Sequence, residues 1–383
     1  MSKLDELIKE YCRGGVEHKA IKDIANVTIG EFVHKNKQKA DAPYPVYNGG
    51  TSNTGFYDEY NMEPNKVIVS ARGAAGFVNK VETFYWAGNS CYSIDVTDNN
   101  VSWMYVYYAM KNDEQELINS RQTGSIPSVS KKQVETHEIP LPPLPVQEEI
   151  VRILDTFSEL TAELTAELTA RKKQYASYRD KLLAFDASVE TKALGEVVRV
   201  ERGTRVVRNE LDKINGNPVY QNSLTPLGYH SVSNRKANTP FVIGAGGAGQ
   251  IGFSHENFWA ADDCYTFSYN DQLDNRYLYF FLQCCQSIID SKVRKDSIPR
   301  LPREALERLQ IPLPSLDVQK RIVDTLDNFD KICTDLNIGL PAEIEARQKE
   351  YEFYRNALLS FDRLSGERRA ESGERRAESG ERA

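Results

Sequence analysis

The 383-residue chain has no uninterrupted apolar run near the ~18 residues a membrane helix needs. Its opening MSKLDELIKEYCRGG alternates charged and apolar residues instead of building the apolar centre of a signal peptide. No membrane contact is therefore expected. Six cysteines (Cys12, Cys91, Cys264, Cys284, Cys285, Cys333) form no C-x-x-C pair and no His-flanked group, so free buried thiols in a reducing cytoplasm are expected. Five scattered histidines offer no metal-ligand spacing. There is no G-x-S-x-G, no H-E-x-x-H and no P-loop lysine. An adenosylmethionine loop, an Asn/Asp-Pro-Pro-aromatic tetrad and a carboxylate–lysine nuclease cluster are also missing, so the chain reads as non-catalytic. A formal charge of −7 argues against wholesale coating of nucleic acid but leaves room for a local basic face.

One motif does tempt. GAGGAG (244–249) satisfies G-x-G-x-x-G, but a dinucleotide site needs a helix next so that pyrophosphate meets its N-terminus. The next residues, QIGFSHENFW, alternate like a strand, and the related SARGAAG (70–76) lacks the pattern. Both read as glycine turns of hairpins.

What the chain does have is a second copy of itself. IPSVSKKQVETHEIPLPPLPVQEEIVRILD (126–155) returns 172 positions later as IPRLPREALERLQIPLPSLDVQKRIVDTLD (298–327), sharing Gln147/Gln319, Ile150/Ile322, Leu154/Leu326 and Asp155/Asp327 among others. ARKKQYASYRDKLLAF (170–185) returns as ARQKEYEFYRNALLSF (346–361), now offset by 176. The preceding regions match more loosely: YPVYNGG (44–50) with NPVYQNS (217–223), and VIVSARGAAGFV (67–78) with FVIGAGGAGQIGF (241–253), which sets Arg72 opposite Gly246. Short β-branched and aromatic runs broken by Gly, Asn and Pro read as strands and turns. Helices are expected over 101–118 and 275–290, and the proline-rich IPLPPLP (139–145) and IPLPSLD (311–317) read as hinges.

The fold class is therefore α+β, with two mixed domains joined by two long antiparallel helices in a coiled coil, the repeat becoming a pseudo-twofold. Its parts are an N-terminal helical segment (1–15), a first globular domain (16–143), a central spacer helix (144–186), a second globular domain (187–315), a distal spacer helix (316–363) and a charged tail (364–383). The central helix carries its stripe on Ile150, Leu154, Phe157, Leu160, Leu164, Leu168, Tyr178 and Leu182. The distal one uses Ile322, Leu326, Phe329, Tyr354 and Leu358, with a kink expected at Gly339 and Pro341. These stripes are the candidate spacer and docking surfaces.

Basic residues lie amid Asn, Gln, Ser and Tyr in the two divergent globular regions. Basic groups hold phosphates, while amides, hydroxyls and arginines read base edges. Turn-like polar loops at matching places give the candidate DNA contacts: Asn48, Thr51, Ser52, Asn53, Arg72 and Lys80 in the first domain, and Gln221, Asn222, Ser223, Arg235, Lys236 and Arg300 in the second. A protein-interaction scaffold without DNA is the alternative. Phosphate-dominated binding weakens steeply with salt, and that separates the two.

Across nearly its full length the chain resembles the specificity subunits of type I restriction–modification enzymes, through the doubled plan, the IPLPPLPVQEEIVRILDTF and RKKQYASYRDKLLAF blocks with their second copies, and TAELTAEL (161–168). TAELTAEL itself resembles the central repeat of one subgroup of that family. The resemblance implies two target-recognition domains reading halves of a split double-stranded DNA sequence. It also implies docking of two modification (methyltransferase) subunits on the helices and recruitment of restriction (translocase/nuclease) subunits. S-adenosylmethionine, ATP and Mg are then expected on those partners, none on this chain. The seven-residue repeat SGERRAESGERRAESGERA (365–383) departs from the family plan and reads as helical or disordered.

The four-residue repeat has its own arithmetic. Four residues advance a helix about 6 Å and turn it about 40° past a full circle. One step of B-DNA rises about 3.4 Å and turns roughly 34–36°. The rotations agree, the rises agree only for a helix oblique to the duplex, and repeat number is expected to set the gap between the two half-sites.

Overall fold

A computed structural model describes residues 3–122, 126–295, 297–334 and 339–364. The chain forms two units, Met1–Glu163 with Glu345–Ala383, and Leu164–Ile344. Each is built on the same plan.

In the first unit a four-stranded antiparallel sheet runs Ala25–Ile29, Cys91–Val96, Lys66–Ser70, Val78–Val81 in spatial order. A three-stranded sheet (Gly55–Tyr57, Tyr44–Tyr47, Trp86–Ala87) contains one parallel pair. The interior strand Lys66–Ser70 carries three consecutive apolar residues, Val67, Ile68 and Val69, because both its faces are covered. Val67 and Val69 join the core beneath the helix Trp103–Asn112, while Ile68 joins a separate cluster with Val81, Tyr85, Ala87 and Cys91. The second unit repeats this order with Val200–Arg202, Cys264–Phe267, Thr239–Ile243 and Ile251–Ser254, and with Gly228–His230, Asn217–Tyr220 and Trp259–Ala260. Val242 there faces the helix-side core, and Phe241 and Ile243 face the other way.

GAGGAG closes the hairpin between Thr239–Ile243 and Ile251–Ser254, as its alternation implied. Gly73 (φ 76°) and Gly246 (φ 78°) occupy the same left-handed place, as do Gly76 (φ 91°) and Gly249 (φ 90°). This corrects the repeat alignment: glycine must oppose glycine, so Arg72 corresponds to Ala245, not Gly246.

Two further expectations need correction. The helix expected over 101–118 is two, Trp103–Asn112 and Glu114–Asn119, and its counterpart is Asn275–Cys284 and Gln286–Lys292. The proline-rich segments are not simple hinges. Glu138–Leu141 pairs with Glu17–Ala20, and Gln310–Pro312 with Thr191–Ala193. Each pair is a two-stranded ribbon with free edges, so a proline that cannot donate to a ladder is tolerated.

The residues shared between the copies explain themselves at the junction with the helices. Gln147, fully buried, donates from Nε2 to the carbonyls of Pro142 (2.7 Å) and Asn100 (3.2 Å) and accepts from the Ser102 amide (2.9 Å). Gln319 does the same with Pro314, Gln272 and the Asp274 amide, each at 2.9 Å. Ser102 and Asp274 are the N-caps of the aromatic helices. One glutamine thus ties the exit of each domain to the start of its own helix. Tyr105 and Tyr277 add a matching bond, each hydroxyl donating to a proline carbonyl, Pro140 (2.9 Å) and Pro312 (3.0 Å). Asp155 accepts from the Tyr108 hydroxyl, and its equivalent Asp327 from Arg276 at 2.7 Å.

The central helix Leu144–Leu182 is 39 residues, about 58 Å at 1.5 Å per residue. It starts in the first unit and ends in the second. The distal helix is described in two pieces, Leu316–Thr334 and Leu340–Leu358; Gly339 stands just before the second and Pro341 in its first turn, and the expected kink falls partly on residues 335–338, outside the described residues. In the first unit Ile150 and Leu154 are fully buried, Leu358 packs on that core, and Phe157 stacks on Tyr354 (centroids 5.3 Å). In the second, Ile322 and Leu326 are buried with Leu182 against them, and Tyr178 meets Phe329 at 5.4 Å. Within each unit the central helix thus packs on one piece of the distal one.

Away from the domains the stripe is only half covered. Leu164 and Leu168 are intermediate, while Leu160, Tyr178, Phe329 and Tyr354 are 37–41% exposed. A ribbon of two helices gives each side chain cover from one neighbour alone. The TAEL turns are self-contained there. Thr161 donates to the Phe157 carbonyl and Thr169 to that of Thr165, both at 2.9 Å, while Glu163 and Glu167 face solvent. The N-terminal segment forms the helix Lys3–Tyr11, and the repeat tail (365–383) lies outside the described residues.

Candidate nucleic-acid interface

In the first unit several loops are tied at one end of the sheets. The Asn48 side-chain oxygen accepts from the Ser90 amide (3.0 Å), and Gly49 O accepts from Ala74 (2.8 Å). Ala71 donates to Ser90 O (2.8 Å) and accepts from Val129 (2.9 Å). A Cβ at Gly73 would stand 2.6 Å from Gly49 O, so the turn closes only on glycine. Of the proposed contacts, Thr51, Ser52 and Arg72 are exposed here, and Asn48 and Asn53 half-buried. Asn48 is spent in part on holding Ser90.

The second unit has the same ties. Gly247 donates to Asn222 O (2.8 Å), Gly244 to Asp263 O (2.6 Å), Leu301 to Gly244 O (2.8 Å) and Gly246 to Pro299 O (3.0 Å). Gln221 donates to Asp262 Oδ1 (3.4 Å), Ser223 donates to Thr225 O (2.9 Å), and Arg300 is exposed. A cleft of about 290 Å³ opens there, lined by Arg202, Asp262, Asp263, Tyr265, Arg294 and Arg300 among others. Its mix of guanidinium, carboxylate and phenol suits hydrogen-bonding edges better than an apolar ligand.

Three residues expected at this face fall elsewhere. Lys80 pairs with Glu82 (3.2 Å) and lies over Tyr107 on the helix-covered side of its sheet. Arg235 is a framework residue: Nε donates to the buried Thr266 hydroxyl (2.6 Å), Nη1 to Asn234 O (2.8 Å), and Nη2 lies 3.3 Å from Glu201. Lys236, beside it, is exposed but makes no described contact with the loop cluster.

Other residues at the cluster escape sequence reasoning. Equivalent main-chain bonds set Ser90 against Asp263, and equivalent strand pairs set Ile29 against Arg202. Ser128 bridges Arg72 and Gln122, just as Arg300 bridges Ala245 and Arg294. The 172-residue offset of the IP blocks already aligned Ser128 with Arg300 and was the available signal. Burial pushes the thiols of Cys91 and Cys264, equivalent in the two sheets, up to about 12, which marks them as core. Among the described residues no group of His, Cys, Asp and Glu is placed to hold a metal, and no helix is long and apolar enough to cross a membrane.

The family described as type I restriction modification DNA specificity domain matches twice, over residues 14–171 and 187–346. A putative type I restriction enzyme specificity subunit of Haemophilus influenzae is 30% identical, covering 90% of this chain and 96% of its own. A type I restriction enzyme specificity subunit of Escherichia coli is 31% identical over 69% of this chain and 72% of its own. The crystal structure of a type I restriction–modification S subunit from M. genitalium shares the fold with a TM-score of 0.61 at 19% identity, covering 90% of this chain and 96% of that one. The chain belongs to the type I restriction–modification specificity subunits, the non-catalytic members of those systems.

Proposed function

We propose that this chain reads a split double-stranded DNA target, one half with each unit, and holds the reading units at a set spacing through its paired helices. Two modification subunits dock along the helical stripes, and restriction subunits join them. Methyl transfer, cleavage and translocation, with S-adenosylmethionine, ATP and Mg, belong to those partners, and the complex works in the cytoplasm. One observation carries the reading: the loop clusters have the same backbone in both units but different side chains. Dissimilar half-sites would require that, and a symmetric scaffold would not.

The repeat sets the gap. Deleting Thr165–Leu168 removes one helical turn, so genome-wide methylation mapping should return both half-words unchanged with a shorter gap. An unaltered gap would refute the ruler; a single unbroken word in the parent would refute the split reader. Affinity falling steeply with salt is expected of phosphate contacts, and flat salt dependence would favour a scaffold that binds no DNA.

A further inference from the structure

Three short main-chain segments run side by side at each loop cluster. In the first unit they align Arg72, Ser128 and Gln122 in a row of antiparallel bridges; in the second they align Ala245, Arg300 and Arg294. Residues directly opposite in such bridges stand about 4.5–5.5 Å apart and project to the same face. Each row is therefore three side chains on one line. Both are held by main-chain bonds: Gln122 and Ser128 exchange two (2.8 and 3.3 Å), and Arg294 and Arg300 exchange two (2.8 and 3.1 Å).

Arginines nearby are engaged inside the protein: Arg202 with Asp263, Arg235 with Glu201, Arg303 with Glu307. Arg72, Arg294 and Arg300 differ. Their side chains are exposed and have no ion pair or hydrogen bond among the described residues. A guanidinium on a fixed backbone with its donors unspent presents the fork that matches O6 and N7 of guanine.

We infer that these rows are the base-reading elements, with Arg72 reading a guanine in one half-site and Arg300, beside Arg294, reading guanine in the other. The inference rests on the split-reader function proposed above. The arginine sits in the outer slot of the first row and the central slot of the second. One slot is about 5 Å, or one to two base steps at about 3.4 Å each. The two guanines thus fall at different places in the frame of their readers.

The test is methylation mapping with the intact complex of this chain and its modification subunits. Arg72→Ala should abolish the guanine preference at one position of one half-word, a loss on the order of 10- to 100-fold in discrimination. Arg72→Lys should weaken the same preference, because an ammonium lacks the planar fork that matches both acceptors. Arg300→Ala should relax the other half-word. Arg72→Ala with Ser128→Arg should move the guanine by one or two base pairs. The untouched half-word in each variant reports a folded, assembled complex. A uniform fall in methylation with the word intact, restored by lysine, would overturn the inference in favour of phosphate holding; so would words unaffected by any variant. If the parent word is unbroken, the split-reader proposal fails first, and that outcome is visible before any variant is compared.

Discussion

Two places in the paired units differ in instructive ways. Inside the first unit the Tyr85 hydroxyl bonds Ser93 Oγ at 2.7 Å, with Met62 beside Tyr85. In the second unit Phe258 replaces the tyrosine and cannot make that bond. Arg235, at the place of Met62, supplies the donor to Thr266 instead. A lost hydroxyl is answered by a gained guanidinium, because a buried polar atom without a partner costs about 1–3 kcal/mol. At the loop rows no such answer exists. Arg72 becomes Ala245 and Ser128 becomes Arg300, and among the described residues no side chain is bonded to either arginine. Interior differences are compensated within the fold, whereas those of the rows await compensation from outside it.

The comparison breaks most visibly at the paired glutamines. Gln147→Leu should cost about 2–4 kcal/mol by orphaning the Ser102 amide and two carbonyls. Gln319→Leu should cost the same within about 1 kcal/mol if the junctions are equivalent. Denaturant unfolding of the intact chain measures both, and a large inequality would end the equivalence. Next comes the interior exchange. Arg235→Met should lose about 2 kcal/mol by leaving Thr266 unsatisfied, and adding Phe258→Tyr should restore at least half by rebuilding the first unit's arrangement. No recovery would mean that Arg235 matters through Glu201.

The smallest effect separates the units by pH. Glu149, buried in the first unit, is bonded by Arg152 and Lys3, which hold its carboxyl down to about 2 from an ordinary 4.5. A lowered folded pKa gives stability that is complete above about pH 4.5 and lost as pH falls toward 2. The second unit has Arg321 at that place, so this buried carboxylate's contribution belongs to the first unit alone. Both of Glu149's partners are exposed, so about 1 kcal/mol is expected. Unfolding between pH 6 and 3 should be flatter for Glu149→Gln than for the parent.

Much of the framework was legible because its residues recur for reasons sequence can carry. Gln147 and Gln319 donate and accept at once in the same three-bond tie, and Asp155 and Asp327 each accept a bond from the aromatic helix of their unit, so both copies keep them. The proline segments misled because local chemistry forbids a central strand but says nothing of a two-stranded ribbon. The loops were legible by composition at Asn48–Asn53, Gln221–Ser223, Arg72 and Arg300. Arg235 and Lys80 were drawn in with them because a basic residue near a turn looks the same whether it faces solvent or reaches Thr266 or Tyr107. Ser128 and Gln122 escaped notice for the opposite reason: in their own copy they carry no charge, and only the partner residues Arg300 and Arg294 betray the position.

The threonines of the central helix have a corollary. Since Thr161 and Thr169 each donate to the carbonyl one turn back, gaining or losing a TAEL turn keeps such hydroxyls bonded within the helix itself. Under the proposed ruler, one TAEL unit more or fewer would respace the two half-sites and leave both reading units as they are.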